Sequence, residues 1–111
     1  MSAGYRVVFV GEPPVGHLEF VSDACAALIG LAAEEIVAHP GLWTAAIHPD
    51  DRDAFVQTTA EVILSGTASV RTYRLLHRET GAYRRVEDHL TATLHDEGHV
   101  IGYAAVVTLA N

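Results

Sequence analysis

The hydrophobic period changes just after Gly66, and that change restricts the fold more than any other feature of the chain. Ahead of it, Phe55, Thr59 and Val62 form one i, i+4, i+7 set, and Val56, Ala60 and Ile63 form an overlapping one. This is the stripe of a helix that packs along one side, and Ser65-Gly66 ends it. Beyond Gly66 the pattern is that of strands. The stretches "ASVRTYRLLHR", "RRVEDHLTATLH" and "VIGYAAVVTLA" are separated by the turn sequences "ETGAY" and "DEG". They are predicted to form a three-stranded antiparallel meander.

The N-terminal half has shorter elements. "YRVVFV", Tyr5 to Val10, is β-branched and aromatic and reads as a strand. "GEPPVG" breaks it, and "HLEFVS" returns as a second strand. Asp23 is placed to cap a short helix through "ACAALIG", with Gly30 as its stop. "AAEEIVAH" and "LWTAAI" are two further short helices or turns, divided by Pro40-Gly41. The predicted order is two strands, several short helices, one longer helix and three strands.

The segment "WTAAIHPDDRDAF", Trp43 to Phe55, reads as the entry to the long helix. Asp50 is the expected N-cap, with Asp53 at N3 as in a capping box. Pro49 is expected to bar an earlier start. The acids Asp50, Asp51 and Asp53 face the positive end of the helix dipole. Trp43 and Ile47 are expected to pack down onto the helix stripe.

Charge and cysteine content exclude several classes. A chain of 111 residues fits one domain. Its net charge is -7, and its seven basic residues are all arginine. No basic stripe offers itself to nucleic acid or to an anionic membrane. One cysteine, Cys25, permits no internal disulfide, and an intracellular, cytoplasmic setting is expected. No apolar run of membrane-spanning length and no signal-peptide pattern is visible.

The order of elements, together with "W-x3-IHPDDR" at Trp43 to Arg52, resembles the PAS sensor family. "YRLLHRETGAYRRVEDH", Tyr73 to His89, is similar to that family's central hairpin, and "HDEGHVIGYAAVV" to its closing one. The resemblance covers about Tyr5 to Ala110. It implies an α+β fold: a five-stranded antiparallel sheet of order 2-1-5-4-3 with helices across one face. Two departures stand out. Arg85 occupies a position where the family usually carries Trp, and Leu109, Ala110 and Asn111 replace a common "DIT" ending. The resemblance also implies a sensory module within a longer bacterial signalling protein, with an output domain in the same polypeptide. Two-component kinases, diguanylate cyclases and regulators of sigma factors, hence of transcription, carry such modules.

No catalytic residues are expected. Flavin-binding relatives carry a reactive cysteine in an Asn-Cys-Arg-like turn, whereas Cys25 sits in an Ala-rich stretch without a basic neighbour. Haem-binding relatives use a histidine on the long helix. Here that helix has none after His48, and His39 and His48 precede it. His77, His89, His95 and His99 are not expected to converge on a metal. Asp88 and His89 are neighbours on one strand and point to opposite faces. No cofactor and no metal is therefore expected.

An apolar interior remains. Val86, Leu90, Ala92 and Leu94 are the expected inward set of the fourth strand, with Asp88 as a polar exception. Both faces of the last strand are apolar, so both are expected to be covered. One face, holding Gly102, Ala104 and Val106, is assigned to the helices. The other, holding Tyr103 and Val107, is assigned to a homodimer contact. Small residues leave two possibilities open, a cavity or close helix-sheet packing. If a cavity exists, its expected lining is Leu28, Ile36 and Trp43 from the short helices, Ile47 and Phe55 at the long helix, and Leu75, Leu90, Ala104 and Val106 from the strands. Its expected ligand is small and hydrophobic, fatty-acid-like. The alternatives are a ligand-free PAS dimerisation module and, in another class, a cone-shaped α+β isomerase-like enzyme with Asp88 as its only pocket carboxylate.

Overall fold

The computed structural model describes residues 3–12 and 14–110. Strands β1 (Gly4–Val10) and β2 (Val15–Val21) form the first hairpin. Short helices α1 (Asp23–Ala27), α2 (Ala33–Ala38) and α3 (Gly41–Ala46) lead to the long helix α4 (Pro49–Ser65). Strands β3 (Ala68–Leu76), β4 (Tyr83–Leu94) and β5 (Val100–Leu109) complete the chain. The five strands make one antiparallel sheet of order β2-β1-β5-β4-β3, the order implied by the sequence resemblance. Helix α4 packs over β3, β4 and β5, while α1 and α2 pack over β1 and β2. Among the described residues, no helix is long and apolar enough to cross a membrane.

Both helix caps differ from those expected. At α1 the cap is Ser22, not Asp23: its Oγ accepts the Cys25 N–H at 3.1 Å and the Gly4 N–H at 3.0 Å. One hydroxyl thus ties the helix start to β1. At α4 the cap is His48, whose Nδ1 accepts the Asp50 N–H at 3.1 Å. Pro49 is the first helical residue, because the N–H it lacks would have had no partner there. Asp50 is exposed in the first turn and Asp53 is exposed just beyond it, so neither forms the expected capping box. The helix ends at Gly66, whose φ of 66° is left-handed. Only part of the broad stripe is buried: Val62 is in the core, Phe55 and Thr59 are half-buried, and Val56 and Ala60 are exposed.

The face assignment of β5 is the reverse of that expected. Leu90 pairs with Ala105 and Asp88 with Val107. Directly paired residues share a face, and Leu90 and Asp88 are both buried, so Ala105 and Val107 face the helices. Val107 is 1% exposed, which places it in the core rather than in a dimer contact. Ala104 pairs with Thr91 and Val106 with His89, on the outer face. The alternation of β5 could not reveal this, since both of its faces are apolar. A register shift between Thr93 and Leu94 also ends the inward set of β4 early, leaving Leu94 exposed. Gly102 serves strand approach and not a cavity floor: a Cβ there would collide with the Val7 carbonyl oxygen.

Candidate functional site: a cavity between the first hairpin and the short helices

A cavity of about 190 Å3 lies between the inner face of β1 and β2 and helices α1 to α3. Tyr5, Val7, Leu18 and Val21 supply the sheet side, with Gly16 at its edge. Cys25, Ile36, Pro40, Trp43 and Thr44 supply the helix side, and Phe55 and Tyr103 close it. None of these twelve residues is ionised at neutral pH by its ordinary chemistry.

Three of the expected lining residues, Ile36, Trp43 and Phe55, are there. Ile47, Leu75 and Leu90 are instead fully buried in the core and absent from the cavity lining. Leu28 packs against the core edge, and Ala104 and Val106 face outward with the rest of their side of β5. Tyr103, expected in a dimer contact, lines the cavity. The sheet side was missed altogether. Its signal was present in the alternation of Tyr5 and Val7. On β2 it was obscured by a register shift, where Arg6 pairs with Phe20 but Val7 with Leu18.

Behind the Tyr5 wall lies a buried polar cluster. Arg71 and Asp88 are directly paired on β3 and β4, and both side chains point inward. Asp88 is 0% exposed. Its Oδ2 accepts the Tyr73 hydroxyl at 2.6 Å, the Tyr5 hydroxyl at 2.9 Å and Arg71 Nη2 at 3.5 Å. Arg71 Nη2 also donates to the Tyr5 hydroxyl at 2.9 Å. Its Nη1 donates to the Phe55 carbonyl at 2.7 Å and to Thr59 Oγ1 at 2.6 Å. The guanidinium lies 3.8 Å from the Phe55 ring centre, a cation–π stack. Asp88 is therefore the polar exception foreseen on the inward face of β4. Its Oδ2 gathers three donors, whereas its Oδ1 and the Arg71 Nε are buried without a hydrogen-bond partner.

The same burial sets the protonation of the neighbours. Desolvation, followed by the Asp88 charge, raises the Tyr5 hydroxyl well above the usual phenol range. Desolvation likewise raises Tyr73, with the nearby Tyr5 and Asp88 adding to it. Burial, and then Asp88, pushes the Cys25 thiol up to about 12. Cys25 is thus a neutral, apolar part of the wall, without the thiolate that a reactive cysteine needs.

Of the remaining candidates, His39, His48 and His89 are dispersed, whereas His95 and His99 meet at one turn. His89 Nε2 lies 2.6 Å from Glu87 Oε1 on the outer face, opposite Asp88. His39 is exposed, and the His48 ring packs on Tyr83 outside the cavity. His95, Glu97 and His99 gather their ligand atoms within 4.8 Å on the β4–β5 turn, all exposed. Within that turn His95 Nδ1 accepts the Glu97 N–H at 3.2 Å. Asn111, the last residue of the altered ending, lies outside the described residues.

Comparison with known proteins agrees with this architecture. A family profile described as the PAS fold matches residues 18–107. The chain belongs to the PAS family. No curated protein matches it. Among solved structures, this PAS chain is similar to an RNA-binding light-oxygen-voltage receptor, at 24% identity and a TM-score of 0.73. That match covers 97% of this chain but only 29% of the receptor, so the PAS chain spans less than a third of that protein. It is also similar to the N-terminal domain of a diguanylate cyclase with a PAS/PAC sensor from Marinobacter aquaeolei. There the identity is 19%, the TM-score 0.74, and coverage 98% of this chain and 94% of that one. A domain of a putative light and redox sensing histidine kinase from Haloarcula marismortui matches at 15% identity and a TM-score of 0.75, covering 99% of this chain and 91% of that one. At these identities the likeness is one of fold. PAS sensor domains of signalling proteins are the company this chain keeps.

Proposed function

We propose that this PAS chain is a ligand-binding sensory module and not an enzyme. Its ligand is small and hydrophobic, and it signals to an output domain in the same polypeptide. The observation that carries this reading is the 190 Å3 cavity, lined almost wholly by apolar side chains, under the first hairpin. That volume is below the roughly 300–1,000 Å3 of sites for drug-sized ligands, which favours a small ligand. A fatty-acid-like ligand fits only with a short chain. Occupancy would favour one packing of α1 to α3 on β1 and β2, and the signal is bounded by the ligand's differential affinity for two arrangements.

The test is to purify the chain, compare intact masses under native and denaturing conditions, and identify whatever small molecule is released. A stoichiometric small apolar compound is expected. No released compound and no binding of small apolar probes would favour a ligand-free interaction module.

A homodimer is the second element of the reading. The supporting observation is the outer sheet face, where Val106 on the central strand is 48% exposed and Phe20 and Val10 are about as open. A second copy of this face would cover them. Sedimentation across micromolar concentrations tests it.

A further inference from the structure

The turn between β4 and β5 gathers three side chains of the kinds that ligate metal ions. His95, Glu97 and His99 each offer one ligand atom, and the three atoms lie within 4.8 Å of one another. The His95 and His99 rings stack, with centres 4.6 Å apart and planes 15° from parallel. The backbone fixes their spacing. The His95 N–H donates to the His99 carbonyl at 2.8 Å, and the Gly98 N–H to the His95 carbonyl at 2.7 Å. The four histidines weighed from the sequence do not converge, since His77 lies against Gly30 and His89 pairs with Glu87. Two of them do meet, with Glu97 as the third ligand.

The surroundings favour a cation. No arginine or lysine occurs from Val86 to Ala110, and Asp96 adds a second carboxylate to the turn. Leu94 and Val100, on either side of the turn, border Gly66 at the C-terminus of α4. That is the negative end of the helix dipole, and no basic residue in the last helical turn offsets it.

The ligand types decide which cation. Two imidazoles and a carboxylate suit zinc and its first-row neighbours, whereas magnesium and calcium take oxygen ligands. Three protein ligands leave a fourth tetrahedral position to water. Bonds of about 2.0–2.1 Å put tetrahedral ligand atoms about 3.3 Å apart, so these exposed side chains close in by rotation. The cost is one weak contact. A ring with a metal on one nitrogen carries its proton on the other, so ligation by His95 ends the 3.2 Å hydrogen bond from the Glu97 N–H.

We propose that His95, Glu97 and His99 bind one divalent transition-metal ion of the zinc class, and that the ion clamps the β4–β5 hairpin. This site is separate from the cavity and does not depend on the ligand-binding reading.

Zinc and magnesium are titrated calorimetrically into the untagged, chelator-treated chain. Zinc is expected to bind saturably at one ion per chain, and magnesium is not. His95→Ala and His99→Ala should each weaken zinc binding by at least about tenfold, while His89→Ala leaves it unchanged. Zinc should raise the melting temperature of the wild type but not that of His99→Ala. In 15N-labelled wild type, the ring nitrogens of His95 and His99 should shift as zinc is added, a readout that needs no variant to fold. Absence of saturable zinc binding would overturn the proposal, as would unmoved His95 and His99 resonances. Zinc binding unchanged in either His95→Ala or His99→Ala would place the ion elsewhere and overturn it too. Magnesium bound as tightly as zinc would overturn the metal class. Half an ion per chain, with zinc-dependent dimerisation, would overturn the single-chain clamp.

Discussion

Asp51 holds Arg74 at three points. Its Oδ2 accepts the Arg74 backbone N–H and Nε, both at 2.9 Å, and its Oδ1 accepts Nη2 at 3.0 Å. The His48 N–H donates to the Arg74 carbonyl at 2.9 Å, and Ile47 bridges to Leu75. The segment Ile47 to Asp51 thus lies along the free edge of β3 and satisfies backbone groups that an exposed edge would leave open. Arg52 braces the segment from the other side, donating to the Ile47 carbonyl at 2.9 Å and the Ala45 carbonyl at 3.1 Å. The "IHPDDR" sequence is both a helix start and an edge seal.

Asp51→Ala should therefore cost about 1 kcal/mol, a value kept low by partial solvent exposure. Asp50→Ala should change stability by no more than about 0.5 kcal/mol. The hydrogen bond from the Arg74 guanidinium, above all, holds the Asp51 carboxyl below the usual carboxylate range. A folded-state value below the unfolded one means stability that is present above about pH 4 and lost as pH falls through the folded value. Urea titrations of wild type and Asp51→Ala should differ at pH 7 and converge as pH falls through the folded value. A gap of constant size would show that the charge on Asp51 contributes nothing.

Removing Asp88 alone should be far more damaging. Asp88→Ala strands Arg71 as an unpaired buried cation, and such losses run to about 3–5 kcal/mol. The double variant Arg71→Met/Asp88→Leu removes both charges and should recover much of that loss. Thermal melting of the two variants side by side decides the matter. A double variant less stable than Asp88→Ala would mean that the pair contributes more than the desolvation cost of its charges.

Tyr103 and Val106 should respond in opposite ways to the same new charge. Tyr103→Glu places a carboxylate beside the cavity and the Asp88 charge, and should destabilise the fold by several kcal/mol. Val106→Glu lies on the outer face and should leave the melting temperature nearly unchanged. If the outer face is a dimer contact, Val106→Glu is the variant that sediments as a folded monomer. A stable Tyr103→Glu protein with a disrupted dimer would reverse the face assignment of β5.

Cys25 should be inert in the folded chain. Its thiol is fully buried and pushed up to about 12, so a disulfide reagent at pH 8 should modify it only at the rate of opening, and rapidly in urea. A raised folded-state value also means that stability is intact below about pH 8.5, where the unfolded thiol begins to ionise, and declines above it. Rapid modification of native protein at pH 8 would contradict both expectations.

Local pattern carried the succession of elements, the first hairpin and the closing meander, while the strand order of the whole sheet was implied by the resemblance to the PAS family. The hydrophobic period separates α4 from β3, β4 and β5, and Gly66 marks the boundary because a left-handed residue must stand there. The inward path of Asp88 was legible because alternation on β4 is interrupted by only one polar residue. Tertiary structure alone decided which face of β5 is inside. With Ala104 and Val106 on one side and Ala105 and Val107 on the other, alternation carries no information, and only pairing to Leu90 and Asp88 resolves it. Pairing across the sheet likewise joined Arg71 to Asp88, seventeen positions apart, and Tyr5 to Asp88, eighty-three apart. The cavity is a product of packing as well. It exists because short helices, each too small to cover a hairpin, leave a space under β1 and β2 that no local pattern records.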